Sequence, residues 1–542
     1  MSSTLRPLVL VRGFGGPDLA DVQANAYQGF NDGSVYPGRR GDNYIYEGFV
    51  LRAMKSALYP YRDATNVVGF YPEDVPAPRE LLGLPEDDAT GSVVLDPETE
   101  DRVLVSGVGG TIWVCRYYDL RPRTLRRYGA GLERLVELIE RSAVRHGEEF
   151  TGVDIVAHSM GGLVVREGLR LMDAQEKGSA LRKVHRVVTL GTPHRGIPFQ
   201  RAPEWLLRAL PKVDAAAGDL AGFDPTKTDF LQWETFFDVK RVLTVVGTNY
   251  RTYGTAVASF ANRLSTLTDE GTLATNRSDG LVKHSSAQLP GAPRTFVHKC
   301  HGGADSLVTS REAYEIAMRF FHGSHKVSLW LDRAKVSRGK DLFGRSEFYL
   351  GVSIKPRFVD FELMHQSPEA ENCYGPFSKD DLSDELPDLE TELRKPLAEP
   401  GDRTTGWAGP DRLVWEGWID SRAAAQPGRS ARSRVQGLVF RLDIRVSERD
   451  SYGLGFSDNV VFRKQYYVQV FPGSPWEMFV HTGERYLGPA EPTDLESLQD
   501  HAAPDARAEV QAAKVLPARG ERTFDVVGTG FEATFRVRVE ES

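Results

Sequence analysis

The stretch VDIVAHSMGGLVVR, residues 153–166, decides the reading of this chain. Five residues with strand character (153–157) run, through a turn of three or four residues, into an apolar helix that starts at Gly162. Ser159 stands at the turn. A strand that passes this sharply into a helix holds its turn residue in a strained backbone geometry and requires small neighbours two positions away on each side. Ala157 and Gly161 meet that requirement, with Ala157 standing where glycine is usual, and Gly162 lets the helix approach the strand. The helix N-terminus points at Ser159, and its dipole favours negative charge developing there. This arrangement presents a serine hydroxyl as a nucleophile.

Outward from this turn, strand-like and helix-like runs alternate over the first 322 residues. Leu8–Val11, Thr111–Tyr117, Val153–Ala157, Val184–Leu190, Val242–Val246 and Arg294–His298 read as strands. Thr124–His146 carries Leu132, Leu135, Val136 and Ile139 at helical spacing, and Ser310 caps a last helix, Arg311–Phe321. Such alternation predicts an α/β fold with a mainly parallel sheet covered on both faces. Beyond Gly323 the period changes to two. In Leu438–Val446 the residues Phe440, Leu442, Ile444 and Val446 face one way and Arg441, Asp443 and Arg445 the other, and Phe531–Val539 repeats the pattern. Residues 326–542 are therefore expected to form an all-β, sandwich-like domain behind a catalytic domain of residues 1–322. Gln366–Thr405, acidic and proline-containing, and Arg422–Arg434 are expected to be loops of the β region.

Four blocks carry a family resemblance: LVRGFGG (10–16), AHSMGG (157–162), LGTPHRG (190–196) and SDGLVKHSS (278–286). In this order and spacing the chain resembles serine lipases and esterases of the α/β-hydrolase superfamily, namely bacterial lipases and the lecithin:cholesterol acyltransferase-like and PGAP1-like lipid hydrolases. The resemblance implies the α/β-hydrolase fold, and it implies that Ser159 is activated by a base that a carboxylate orients. In this fold the chain order is serine, acid, histidine. Asp279 matches the acid, with Asp269 as runner-up, and an Asx-turn before Gly280 is the competing reading of Asp279. His301 stands where the family places its base. His298 is the runner-up, read as structural because it alternates within a strand, and His284 is too close to Asp279 along the chain. His158 and His194 are read as packing residues. The oxyanion donors implied are the backbone N–H groups of Met160 and Phe14, the latter in a loop where Arg12 replaces the family's usual histidine.

Residues 197–241 fall where this fold carries a lid. Within APEWLLRALPKV (202–213), Trp205, Leu206 and Leu210 share a helical face that suits an acyl pocket at a lipid surface or, equally, ordinary core. The run 327–354 loosely resembles a lipid- or calcium-binding C2-like sandwich, and a packing or partner-binding module fits it as well.

These readings give an ester or lipid substrate, with contact to a lipid surface and a protein partner of the β region both open. Acyltransferase, thioesterase and amidase chemistry use the same residues, and a partner-binding scaffold is the alternative of another class. The net charge of -8 argues against nucleic acid. No cofactor or resident metal is expected. There is no phosphate-cradling GxxxxGK(S/T) loop, no HExxH and no Cys/His cluster, and Asp305, the one residue weighed for calcium, lacks the family's acidic spacing. Cys115, Cys300 and Cys373 are too scattered for a disulfide framework. The N-terminus lacks the features of a signal peptide and no stretch approaches 18 apolar residues, so a cytoplasmic address is expected.

Overall fold

The computed structural model describes residues 5–13, 30, 48–69, 93–94, 106–117, 124–196, 232–251, 277–303, 305–337, 347–356, 361–377, 412–421, 438–449, 459–471, 476–482, 511–516 and 520–542. The proposed lid residues Trp205, Leu206 and Leu210, the candidate donor Phe14, Asp269 and the Arg422–Arg434 loop lie outside the described residues.

The apolar runs of the first half become strands buried on both sides. The elements in chain order are β1 (Leu8–Val11), α1 (Phe49–Lys55), β2 (Arg62–Gly69), β3 (Val93–Val94), β4 (Thr111–Arg116), α2 (Leu125–Arg145), β5 (Val153–His158), α3 (Gly161–Gln175), α4 (Ser179–Lys183), β6 (Val184–Leu190), β7 (Val242–Gly247), β8 (Arg294–Val297) and α5 (Arg311–His322). The eight strands form one sheet in the order β3-β2-β4-β1-β5-β6-β7-β8, and every neighbouring pair is parallel except β2 with β3. Successive side chains of β1 enter different cores. Leu8 and Leu10 join one cluster with Val156, Val188 and the helix residues Ala313, Ala317 and Phe320. Val9 and Val11 join the other with Leu132, Leu135, Leu163 and Val164 from α2 and α3. Helices cover both faces, which is why these strands read as unbroken apolar runs. The fold is that of an α/β hydrolase.

Two of the eight strands were not foreseen. β2, with the sequence RDATNVVG, is too polar at its start to signal a strand, and a bulge at Asp63 (φ 48°) lets its register with β4 shift. β3 is only two residues long.

From His325 on, all strands are antiparallel: β9 (His325–Val336), β10 (Glu347–Pro356), β11 (Tyr374–Phe377), β12 (Leu413–Ile419), β13 (Leu438–Arg449), β14 (Asn459–Phe471), β15 (Glu477–His481), β16 (Gln511–Ala512), β17 (Lys514–Leu516), β18 (Glu521–Gly528) and β19 (Phe531–Glu541). They form a six-stranded sheet, β11-β10-β13-β14-β15-β16, and a five-stranded sheet, β12-β9-β19-β18-β17. Leu442, Ile444 and Val446 of the first share a core with Leu329, Leu331, Phe535 and Val537 of the second. That core is continuous with the α5 side of the parallel sheet, where the Phe320 and Trp418 rings meet edge to face at 4.6 Å. The stretch 366–405 is not all loop. It contains β11, and the residues just before it are tied to β10 and to each other: Gln366 Oε1 accepts the Val352 N–H and Gln366 Nε2 donates to the Asn372 carbonyl.

Candidate active site

Ser159 holds a left-handed backbone, φ 54°, between the end of β5 and the start of α3. A non-glycine residue pays about 1–2 kcal/mol for this conformation, so the surroundings must impose it. They do so by close approach. The Ser159 N–H donates to the Leu190 carbonyl at 2.9 Å. A methyl group built on Gly161 would lie 2.5 Å from the Val11 carbonyl oxygen, and one on Gly162 would lie 2.1 Å from Thr192 Oγ1. One on Gly13 would lie 2.5 Å from Ser159 Cβ. The glycines around the serine are therefore required by contact.

The other two expected residues converge on the serine. His301 Nε2 lies 2.9 Å from Ser159 Oγ, and His301 Nδ1 lies 2.8 Å from Asp279 Oδ2. Asp279 and His301 are buried, whereas Ser159 is half-exposed. The two carboxylate oxygens of Asp279 have different partners. Oδ1 accepts the N–H groups of Leu281 (3.0 Å) and Val282 (2.7 Å) in a turn, which leaves Oδ2 aimed at the imidazole. The His301 N–H donates to the Asp279 carbonyl at 2.9 Å, a second tie between acid and base. Met160 lies at the start of α3, and among the described residues no acceptor takes its N–H.

Two glycines that sequence reasoning did not single out shape this pocket. A methyl on Gly191 (φ 55°), in the LGTPHRG block, would lie 2.8 Å from Asp279 Oδ2 and 3.3 Å from His301 Nδ1. One on Gly247, at the end of β7, would lie 2.7 Å from Asp279 Cβ. Their place in the chain gives no hint of this, because the contact is made across the fold.

The remaining histidines stand elsewhere. His158 packs beneath the turn: its Nε2 donates to the His301 carbonyl at 2.9 Å and the two rings are 4.9 Å apart. Burial, then the proximity of His301 and Arg12, holds His158 well below its ordinary pKa. His194 contacts Thr189 Oγ1 and the Trp233 ring. His298 turns away from Ser159, toward Thr248 Oγ1 and the His365 ring. Asp305 is ion-paired to Lys299 Nζ at 2.8 Å, and no cluster of three or more His, Cys, Asp or Glu able to hold a metal occurs among the described residues. The three cysteines are free thiols.

Burial lowers the pKa of His194 and of His284 from 6.5 to about 3, and of His298 to about 4. Between these values and 6.5 the unfolded chain binds protons that the folded chain refuses. Stability from these groups is complete above pH 6.5 and is lost as the pH falls toward 4 and then 3. The melting temperature is expected to drop steadily from pH 6.5 to pH 4 in a differential scanning fluorimetry series. A flat profile over that range would contradict the burial of these neutral imidazoles.

The description "PGAP1-like alpha/beta domain" belongs to the family model that matches residues 119–206. The matched stretch runs from before α2 to the start of the proposed lid and contains Ser159 and the LGTPHRG block. No curated protein matches the chain. Among solved structures, the product of gene lin2722 from Listeria innocua is 15% identical, over 59% of this chain and 94% of its own, at a TM-score of 0.33. Bacillus licheniformis lipase BlEst2 in its propeptide form is 11% identical over 89% and 97%, at 0.29. Phospholipase PlaB from Legionella pneumophila is 13% identical over 64% and 80%, at 0.28. The fold assignment rests on the strand order and the PGAP1-like match, since superpositions this loose carry no weight of their own.

Proposed function

We propose that the protein hydrolyses carboxylic esters, of lipids in particular, through an acyl-enzyme at Ser159. The observation that carries this reading is the relay Ser159 Oγ–His301 Nε2–His301 Nδ1–Asp279 Oδ2, with contacts of 2.9 and 2.8 Å. Ser159 Oγ attacks the acyl carbonyl while His301 Nε2 takes its proton. Asp279 accepts from Nδ1–H and so keeps Nε2 free to act as a base. Charge on the former carbonyl oxygen is met by the Met160 N–H at the head of α3 and by the Phe14 N–H, each worth about 3–4 kcal/mol in comparable sites. His301 then returns the proton to the departing alcohol, and a water activated by the same imidazole releases the acid.

The lipid class is supported by the four sequence blocks and by the PGAP1-like match. No described helix is long and apolar enough to cross a membrane. We assign this chemistry to residues 1–322 and treat residues 326–542 as a separate β domain. The test is turnover of p-nitrophenyl esters from acetyl to palmitoyl. Activity that rises with chain length and increases above the solubility limit supports a lipase. A preference for acetyl would make the enzyme a short-chain esterase, and no turnover on any member would overturn the ester reading.

A further inference from the structure

Residues 361–373, between β10 and β11, are built as a rigid piece. Gln366 Oε1 accepts the Val352 N–H at 3.0 Å, and its Nε2 donates to the Asn372 carbonyl at 2.9 Å. Asn372 Oδ1 accepts the Ser367 N–H at 3.0 Å, while its Nδ2 donates to the His365 carbonyl at 2.7 Å. The Leu363 N–H donates to the Ile354 carbonyl at 2.7 Å, and the Ile354 N–H donates to the Met364 carbonyl at 2.9 Å. Both amide side chains are buried, so each lost bond would strand a polar group, and the segment is held to one conformation.

This piece grips the two elements that carry the acid and the base. On the base side, β8 is the edge strand of the parallel sheet. The His365 N–H donates to the Phe296 carbonyl at 2.9 Å, and Thr295 Oγ1 donates to the Leu363 carbonyl. Phe296 precedes His301 by only five residues. On the acid side, Glu371 Oε2 accepts the Arg277 N–H at 2.9 Å. Arg277 closes the small hairpin around Asp279: its carbonyl accepts the His284 N–H at 2.8 Å, and Ser278 bridges Lys283. Arg277 (φ 44°) and Glu371 (φ 54°) both hold left-handed backbones, so neither turn would keep this shape without its contacts.

We propose that residues 361–372 of the C-terminal β region are a brace that holds the Asp279 hairpin in register with the His301 strand, with Glu371 as the positioning residue on the acid side. The inference rests on the assignment of Asp279 and His301 as acid and base. The His301 Nδ1–Asp279 contact is 2.8 Å, and a displacement of about 1 Å in such a pair can cost about a hundredfold in rate. The brace gives the β region a part in catalysis although it supplies no reacting group.

The test compares Glu371→Ala and Glu371→Gln in the full chain. The glutamine amide oxygen can still accept the Arg277 N–H, whereas alanine offers nothing. Alanine is expected to lower kcat about tenfold with KM unchanged, and glutamine to restore kcat to within about twofold. The downfield proton resonance of His301 Nδ1 should broaden or move upfield in the alanine variant and remain in the glutamine variant. Circular dichroism and the melting temperature establish that both variants fold. If the alanine variant keeps wild-type kcat and resonance, or if both variants lose them equally, the brace is overturned. If the wild-type protein turns over no ester, the proposed function fails, and the resonance comparison still decides the brace.

Discussion

Replacement of Ser159 by alanine is expected to lower ester turnover by about a million-fold and to abolish labelling by a fluorophosphonate probe. The reason is geometric. Ser159 Oγ, the nucleophile of the proposed mechanism, stands 2.9 Å from His301 Nε2, and without it the imidazole would have only water to activate. Because alanine keeps the left-handed backbone at φ 54°, this variant should melt close to the wild type. Glycine is a different case. It would release the strain of about 1–2 kcal/mol that a side chain carries there, against about 0.5–1 kcal/mol of extra freedom in the unfolded chain. Ser159→Gly should therefore be as inactive as the alanine variant and slightly more stable. Together the two melting curves read out stability given up to present the nucleophile. Turnover retained by Ser159→Ala would sink the serine mechanism.

The second large effect is expected at Asp279. Asp279→Asn should lower kcat by about ten-thousandfold while leaving the fold intact. An asparagine can still accept the Leu281 and Val282 N–H groups through its carbonyl oxygen, and so it preserves the turn that Oδ1 makes. What then faces His301 Nδ1 is an NH2 group, a donor. The imidazole answers by moving its proton to Nε2, the nitrogen that must be bare to accept from Ser159. The variant thus has the right shape and the wrong tautomer. Asp279→Ala removes the turn bonds as well, and it should lose stability that the asparagine variant keeps. Steady-state kinetics at neutral pH, read beside thermal melts of both variants, separates the two functions of the one carboxylate. Near-normal kcat in Asp279→Asn would show that some other carboxylate orients the base.

Much of this protein follows from local sequence. The β5–turn–α3 stretch is legible by itself because Gly161 and Gly162 are small where the Val11 backbone and Thr192 come close. The two-sided apolar strands require a covered parallel sheet, and the period-two runs after Gly323 require half-buried antiparallel strands. Ser159, Asp279 and His301, which meet in the fold, were legible through their chain order and flanking motifs. Other features depend on which distant segments meet. His301 rather than His298 faces Ser159 because β8 ends at Val297 and the chain turns before it reaches the site. Gly191 and Gly247 matter because Asp279 and His301 lie against them across the fold. Residues 366–372 look like an acidic loop when read alone. They take their conformation from the partners that Val352, Ser353 and Arg277 supply to their polar groups. The sequence by itself determined the chemistry on offer and the two kinds of sheet. The tertiary structure alone decided which distant backbone groups hold that chemistry in place, because hydrogen bonds between residues 94 or 142 positions apart leave no period or spacing in the chain.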